Sequence, residues 1–150
     1  EQENWEELEP VTPAGRLFNQ PSLNCYILVI FGFKTQMDVE ALKAGLEATL
    51  IKHKRFSSIV KEDKRGVLKW MPVDVNIDDH VLLPFIDPTD NCNRNFVKQY
   101  TAKLATAPPL HPSRPLWQIH LLRVRSEEAA SSLVMRVHHS LGDGVSLMSL

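Results

Sequence analysis

Two adjacent histidines near the end of the sequence are the residues best suited to chemistry. They stand in the run His138-His139-Ser140-Leu141-Gly142-Asp143-Gly144, after a stretch with the alternating pattern of a strand. Successive strand residues point to opposite faces, so one imidazole can face a cleft while the other is packed. A histidine with the ordinary pKa of about 6.5 is largely neutral at cellular pH and can take a proton from a hydroxyl group. The pair therefore suits a general base that acts while a hydroxyl oxygen attacks an acyl carbon.

Asp143 and the glycines on either side of it would complete such a site. Asp143 lies where it could cap a helix that begins at Val145. Its carboxylate could also fix the local geometry or hold a cation. Glycine at 142 and 144 lets the backbone approach a substrate closely.

A structural role is the alternative for the histidine pair, because histidines at strand ends are commonly held by hydrogen bonds. A zinc site would need a third and a fourth ligand. No spacing of His111, His120 and Cys92 supplies them. We therefore expect no metal.

The remaining nucleophile and histidine candidates carry weaker signals. Ser113 and Ser140 lack the Gly-x-Ser-x-Gly pattern of a serine nucleophile, and the sequence has no glycine-rich phosphate loop. His53 and His80 lie beside predicted element ends, so we expect them to be surface or capping residues.

The first half of the chain predicts irregular backbone followed by regular elements. A proline-rich stretch lacks periodicity, a continuous β-branched and aromatic run follows it, and apolar residues then recur at helical spacing behind a capping aspartate. The expected elements are an irregular segment at 1–22, a strand at 25–33 buried on both faces, a helix from Asp38 to near Lys54, a hairpin of strands at 58–62 and 67–71, and a short strand at 73–77.

The second half predicts a helix at 94–106, a strand at 116–124 and a last strand at 132–138 that leads into the histidines. In the last strand one face carries Leu133, Met135, Val137 and His139, and the other carries Val134, Arg136 and His138. Interspersed helices, strands and a hairpin predict a mixed α/β fold, an α+β sandwich.

Composition excludes several classes of protein. A net charge of −1 gives no basic excess for binding nucleic acid. No apolar run approaches the roughly 20 residues of a membrane span, and the acidic start differs from a signal peptide. We interpret Cys25 and Cys92 as unpaired thiols, which suits a reducing compartment. A basic cluster predicts a solvated face, with attraction to anionic lipid as the alternative; its members are Lys52, Lys54, Arg55, Lys61, Lys64, Arg65 and Lys69.

The ends of the sequence suggest that it is part of a longer protein. It begins without methionine and stops inside the apolar run 145–150, which has no C-cap glycine or closing proline. We expect residues 1–150 to be an N-terminal domain that is cut before its end, with a C-terminal half absent.

The motif and three further stretches resemble a known family. Residues 138–144 match the His-His-x-x-x-Asp-Gly signature of CoA-dependent acyltransferases, which chloramphenicol acetyltransferases, plant BAHD acyltransferases and peptide-synthetase condensation domains share. The narrower resemblance, across essentially the whole chain, is to plant wax ester synthases/diacylglycerol acyltransferases. It is carried by Glu9-Pro10-Val11-Thr12-Pro13-Ala14-Gly15-Arg16-Leu17-Phe18, His53-Lys54-Arg55-Phe56-Ser57 and Pro115-Leu116-Trp117-Gln118-Ile119-His120. Lys54 departs from the family, which usually has proline there.

The resemblance implies an enzyme that joins a long-chain acyl-CoA to a fatty alcohol or to diacylglycerol. His139 would be the general base and His138 its structural neighbour. Asp143 would orient the loop through an ion pair away from the substrate, and Gly144 would keep the substrate channel open. The implied fold is one half of a chloramphenicol-acetyltransferase-like enzyme, a mixed sheet flanked by helices, with the active site in a tunnel between the two halves.

The resemblance further implies acyl-CoA as co-substrate with no other cofactor, and membrane association at the cytoplasmic face of the endoplasmic reticulum or plasma membrane. Two alternatives stay open. One is an inactive half-domain that binds lipid or a partner; the other is a BAHD-type acyltransferase with a different acceptor.

Overall fold

The described part of the chain combines a four-stranded sheet, a separate hairpin and three α-helices. The structure is a computed structural model that describes residues 5–20, 24–86, 95–126 and 129–142. In chain order the elements are α1 (Pro13–Phe18), β1 (Tyr26–Phe33), α2 (Val39–Ala48), β2 (Ser58–Glu62), β3 (Leu68–Pro72), β4 (Val81–Leu82), α3 (Phe96–Ala105), β5 (Trp117–Leu122) and β6 (Ser131–His138).

The sheet has the strand order β1-β6-β5-β4, so β6 lies inside it. β6 is antiparallel to both of its neighbours, and β4 runs parallel to β5. The hairpin β2-β3 forms its own two-stranded sheet. The predicted mixed sheet with helices is confirmed.

The two faces of β6 pack into different buried clusters. Leu133 and Val137 belong to the larger cluster, against which Met135 packs. Val134 belongs to the smaller cluster on the α3 side, together with Leu104. The predicted alternation along this strand is therefore confirmed.

Trp117 joins several elements inside the larger cluster. Its side chain is fully buried, and its indole N–H donates to the carbonyl of Phe56 at 2.8 Å. The indole also stacks on the ring of His80, with the ring centroids 4.2 Å apart. The Nδ1–H of His80 donates to the carbonyl of Trp117 at 2.7 Å. Of the two predicted possibilities for His80, surface or capping, the structure shows capping: its backbone N–H caps the turn Ile77–Asp79, while its ring is buried.

Helix α2 begins as predicted and ends earlier. The side chain of Asp38 accepts from the N–H of Ala41 at 3.1 Å, which is the expected cap. The α-helix stops at Ala48 and not near Lys54, because the backbone of Thr49 leaves the helical region. A 3₁₀ turn then carries the chain onward.

A short helix, α1, occupies part of the segment predicted to be irregular. Thr12 caps it by accepting from the N–H of Gly15 at 3.1 Å, and Pro13 fills its first turn. A Cβ atom at Gly15 would lie 2.8 Å from Cγ1 of Val11, so the close packing of α1 requires glycine. Thr12 and Pro13 are the sequence signal for this short helix.

Strand β1 lies at the edge of the sheet and is not buried on both faces as predicted. Its residues are half-buried or exposed, and Ile30 and Phe31 are about half exposed, at 50% and 47%. A continuous apolar run indicates a strand, whereas its place in the sheet depends on pairing with distant residues.

Residues 73–77 form no strand, which corrects another prediction. The side chain of Asn76 accepts from the N–H of Asp78 at 3.1 Å and begins the 3₁₀ turn Ile77–Asp79. The strand of this region is β4, which the prediction missed, and it pairs with β5 far along the chain.

The hairpin, α3, β5 and β6 agree with prediction to within about two residues. Gly66 has φ 81°, which suits glycine in the hairpin turn. The basic cluster was expected to form a solvated face, and Lys69 departs from this expectation because it is largely buried. Its side chain is 15% exposed, lies 3.5 Å from the carboxylate of Asp63 and donates to the carbonyl of Trp5 at 2.6 Å.

Candidate active site

His138 is buried at the end of β6, with both ring nitrogens hydrogen-bonded. The N–H of Ser140 donates to Nδ1 at 3.2 Å and its hydroxyl lies 2.6 Å from the same atom. Because Nδ1 accepts, we assign the proton to Nε2, which donates to Oδ1 of Asn24 at 2.8 Å. Burial, followed by the neighbouring His139, lowers the pKa of His138, and the carbonyl of Phe18 opposes this shift. The ring is therefore held neutral, with no nitrogen free for substrate.

His139 has a different environment one residue further on. Its backbone N–H donates to the carbonyl of Cys25 at 2.8 Å, and a 3₁₀ turn begins at this residue. The half-buried imidazole stacks on the ring of Phe18, with centroids 4.1 Å apart and planes at 23°. Its ring makes no hydrogen bond to another described residue, so a ring nitrogen is available for a proton. The predicted division of the pair into a packed ring and a more open ring agrees with this geometry.

The N-terminal residues that hold the histidines were not predicted as part of the site. Phe18 ends α1, while Asn24 and Cys25 lead into β1. Tyr26 lies opposite His138 in the antiparallel register, and the two rings meet edge to face at 5.1 Å. These contacts arise from strand pairing and helix docking between distant parts of the chain, which local patterns do not encode.

An open groove of about 730 Å³ adjoins the histidines. Phe18 and Asn24, which touch the two imidazoles, line one part of it. Leu104 at the end of α3 and Arg136 of β6 line another part. The residues that contact the histidine pair therefore also line a space large enough for part of a ligand.

Asp143 and Gly144 lie outside the described residues, so their predicted roles stay predictions. Cys92 also lies outside them. Cys25 is a free thiol, and it is exposed, whereas the prediction placed it in a strand buried on both faces. No group of three or more histidine, cysteine or acidic side chains that could hold a metal occurs within the ranges described.

The remaining histidines are engaged elsewhere. His120 is buried beside α3, where the hydroxyl of Tyr100 lies 2.7 Å from Nδ1. Burial, with a smaller effect of the charge on Arg136, lowers the pKa of His120 to about 4. His111 lies 2.7 Å from the hydroxyl of Ser113 on the surface. The backbone N–H of His53 caps a 3₁₀ turn, as predicted.

Comparison with known proteins identifies the family. The family model for the wax ester synthase/diacylglycerol acyltransferase catalytic domain matches residues 27–150. The chain belongs to this family. The resemblance stated from the motif is thereby confirmed, and it favours this family over the BAHD type.

Relatives in the wax ester synthase/diacylglycerol acyltransferase family match nearly the whole chain. Wax ester synthase/diacylglycerol acyltransferase 11 of Arabidopsis thaliana is 43% identical over 96% of the chain and 29% of the relative. Number 3 of the same plant is 42% identical over 100% of the chain and 31% of the relative. The chain thus spans about 30% of the length of these curated relatives.

Solved structures show the same fold. The wax ester synthase/diacylglycerol acyltransferase from Marinobacter aquaeolei VT8 matches with a TM-score of 0.63 at 19% identity, over 94% of this chain and 37% of that protein. The starter condensation domain of rhizomide synthetase RzmA matches with a TM-score of 0.62 at 16% identity, over 81% of this chain and 28% of that one. These likenesses confirm the predicted acyltransferase-like fold class.

Proposed function

We propose that the protein transfers an acyl group from long-chain acyl-CoA to the hydroxyl of a fatty alcohol or of diacylglycerol. The products would be a wax ester or triacylglycerol. Family membership supports this reaction class. The observation that carries the assignment of residues is the contrast between His138, whose nitrogens are both occupied, and His139, which is stacked but free to accept a proton.

His139 acts in this proposal as the general base. Its free ring nitrogen takes the proton of the acceptor hydroxyl while the hydroxyl oxygen attacks the thioester carbon. The tetrahedral intermediate then collapses with cleavage of the carbon–sulfur bond. The imidazolium returns the proton to the CoA sulfur, so the base is regenerated and CoA leaves as a thiol. Acyl-CoA is the co-substrate and we propose no further cofactor.

His138 supports the base through the backbone. Its ring joins Asn24 to the turn at Ser140, and that turn begins at His139. We further propose that Asp143 orients the loop and that Gly144 keeps the substrate channel open. The active site is completed by a C-terminal half of the protein.

We also propose that the protein associates with the endoplasmic reticulum or plasma membrane at its cytoplasmic face, because its substrates and products are lipids. No helix within the described ranges is both long and apolar enough to cross a bilayer. Exposed lysines of the hairpin, such as Lys61 and Lys64, offer attraction to anionic lipid. Fractionation of cells with a salt wash tests the location: recovery of all the protein in the soluble fraction at low salt contradicts it.

Three variants of the protein as encoded test the reaction and its residues. His139→Ala should reduce kcat by about 10²- to 10⁴-fold with little change in acyl-CoA binding, because a general base contributes that much. His138→Ala should lower the melting temperature more than it affects the chemistry at equal folded fraction. Asp143→Asn should be intermediate, because the amide keeps the shape of the side chain and loses its charge.

The assay is the release of CoA from a long-chain acyl-CoA with either acceptor, alongside thermal melts. A folded His138→Ala variant without activity, together with a nearly normal His139→Ala variant, would reverse the assignment of the base. Normal turnover in both variants would refute the acyltransferase mechanism.

A further inference from the structure

Arg136 is a buried cation in the groove beside the histidine pair. It lies two residues before His138 on the same face of β6, and the residue is only 4% exposed. Arg136 takes no part in the proposed acyl transfer. A charge in this position needs partners, because removing an ion from water is unfavourable unless other groups compensate it.

The hydrogen bonds of the guanidinium are incomplete. Its Nη2 donates to the carbonyls of Ala107 and Pro108, at 3.1 and 2.9 Å, in the loop after α3. One face lies over the ring of Tyr26, 4.3 Å from its centre. The Nε–H is buried and has no partner. Buried donors in folded proteins almost always have an acceptor, so the described residues do not fully satisfy this guanidinium.

The positive charge of Arg136 also lacks a counter-ion. Within the described ranges no carboxylate forms an ion pair with it, and no acidic side chain lines the groove. Burial lowers the pKa of Arg136, in keeping with a charge that no acid compensates. The groove therefore carries one net positive charge.

The rest of the groove is mainly apolar. Phe18, Leu28, Leu104 and Pro109 contribute hydrocarbon and aromatic surface around the cation. A volume of about 730 Å³ lies within the usual range for small-molecule sites, which combine apolar walls with a few well-placed polar groups. An occupant needs an apolar chain and a single anionic group to match this surface.

We propose that this groove binds a long-chain carboxylate, with the carboxylate pairing with the guanidinium of Arg136 where it lines the groove and the hydrocarbon chain lying along the apolar walls. Carboxylate oxygens match the planar donors of arginine. A single guanidinium balances a monoanion, whereas a phosphate monoester at neutral pH carries more negative charge than this groove balances. The carboxylate lies at Arg136 and not at the base His139, and its binding does not depend on the proposed reaction.

The test measures ligand binding by calorimetry on the protein as encoded, with no turnover involved. The probes are dodecanoate, its methyl ester and dodecyl phosphate, all below their aggregation concentrations. Dodecanoate should bind at least tenfold more tightly than the methyl ester, which has the same chain without the charge. Equal binding of acid and ester would overturn the proposal, and tighter binding of dodecyl phosphate would overturn the choice of a carboxylate.

Two variants locate the site. Arg136→Gln should weaken dodecanoate binding at least tenfold, whereas Arg123→Gln, which removes the same charge from an exposed position, should leave it within twofold. Ala105→Trp should also weaken binding at least tenfold, because the indole fills the groove at the end of α3 without removing the cation. If Arg136→Gln fails to fold, the ester comparison and Ala105→Trp decide. Unchanged binding in either groove variant, or equal loss in Arg123→Gln, would overturn the proposal.

Discussion

The stacking of Phe18 on His139 predicts how much kcat should fall when the aromatic ring of Phe18 is removed. Replacing Phe18 by alanine removes an aromatic contact with 4.1 Å between ring centroids. Such contacts contribute about 0.5–1.5 kcal/mol beyond their buried area. If that free energy keeps the imidazole in its productive orientation, its loss should lower kcat by roughly 2- to 13-fold, since about 1.4 kcal/mol corresponds to tenfold in rate. The KM for acyl-CoA should change little.

The assay is the initial rate of CoA release with a long-chain alcohol as acceptor, at saturating acyl-CoA. Phe18→Leu should fall between wild type and Phe18→Ala, because leucine keeps apolar volume without a ring face. Leu17→Ala is the control, since Leu17 belongs to the same helix and is 48% exposed. A wild-type kcat in Phe18→Ala, or an equal loss in Leu17→Ala, would show that stacking does not position the base.

Three further predictions concern stability and completeness. Gly15→Ala should cost about 1–3 kcal/mol and lower the melting temperature and kcat together, because its Cβ would lie 2.8 Å from Val11; Gly45→Ala, with open space around its Cβ, should leave both unchanged or slightly raise stability. The protein should lose stability as the pH falls from 6.5 towards 4, because the unfolded imidazole of His120 takes up a proton that the buried ring, with a pKa of about 4, does not. The lowered pKa of His120 corresponds to a stability difference on the order of 3 kcal/mol. The melting temperatures at pH 7 and pH 5 should therefore differ less in His120→Gln than in the wild type. The chain of 150 residues expressed alone should show no acyl transfer and should self-associate through the exposed apolar residues of β1, which sedimentation and turnover assays measure.

Each of these three predictions has an outcome that would contradict it. Equal melting temperatures of Gly15→Ala and Gly45→Ala would contradict the close packing of Gly15 against Val11. If the melting temperatures of His120→Gln at pH 7 and pH 5 differ as much as those of the wild type, His120 does not contribute to the loss of stability in acid. His80 and His138 contribute to the same loss, because burial lowers both of their pKa values. A monomeric and active 150-residue chain would show that it needs no second half.

The sequence predicted elements whose pattern is local. The alternation of β6 placed His138 and His139 on different sides, and turn chemistry around Gly66 identified the hairpin. Strand position was less accessible. β1 has the composition of a central strand and lies at an edge, and the two residues of β4 are defined by pairing with β5. Both outcomes depend on contacts between distant segments, which tertiary context decides.

The same distinction applies to the candidate site. The histidines were identified from type and spacing, while Phe18 and Asn24 reach them from the other end of the described chain. The sequence pattern predicted the correct face for Arg136. Which of its donors are hydrogen-bonded depends on the loop after α3, whose position the sequence does not predict. Sequence thus located the reactive group more readily than the residues that hold it.

The docking of α1 on the turn at His139 has a consequence for the order of folding. Six residues are too few for a helix to be stable in isolation, so α1 needs its tertiary contacts to persist. Those contacts include residues that a ribosome synthesises more than a hundred positions later. Closing so long a loop is slow compared with forming the local hairpin β2-β3. The stacked imidazole is therefore among the last features to form during synthesis, and partial unfolding should disturb it before the central strands.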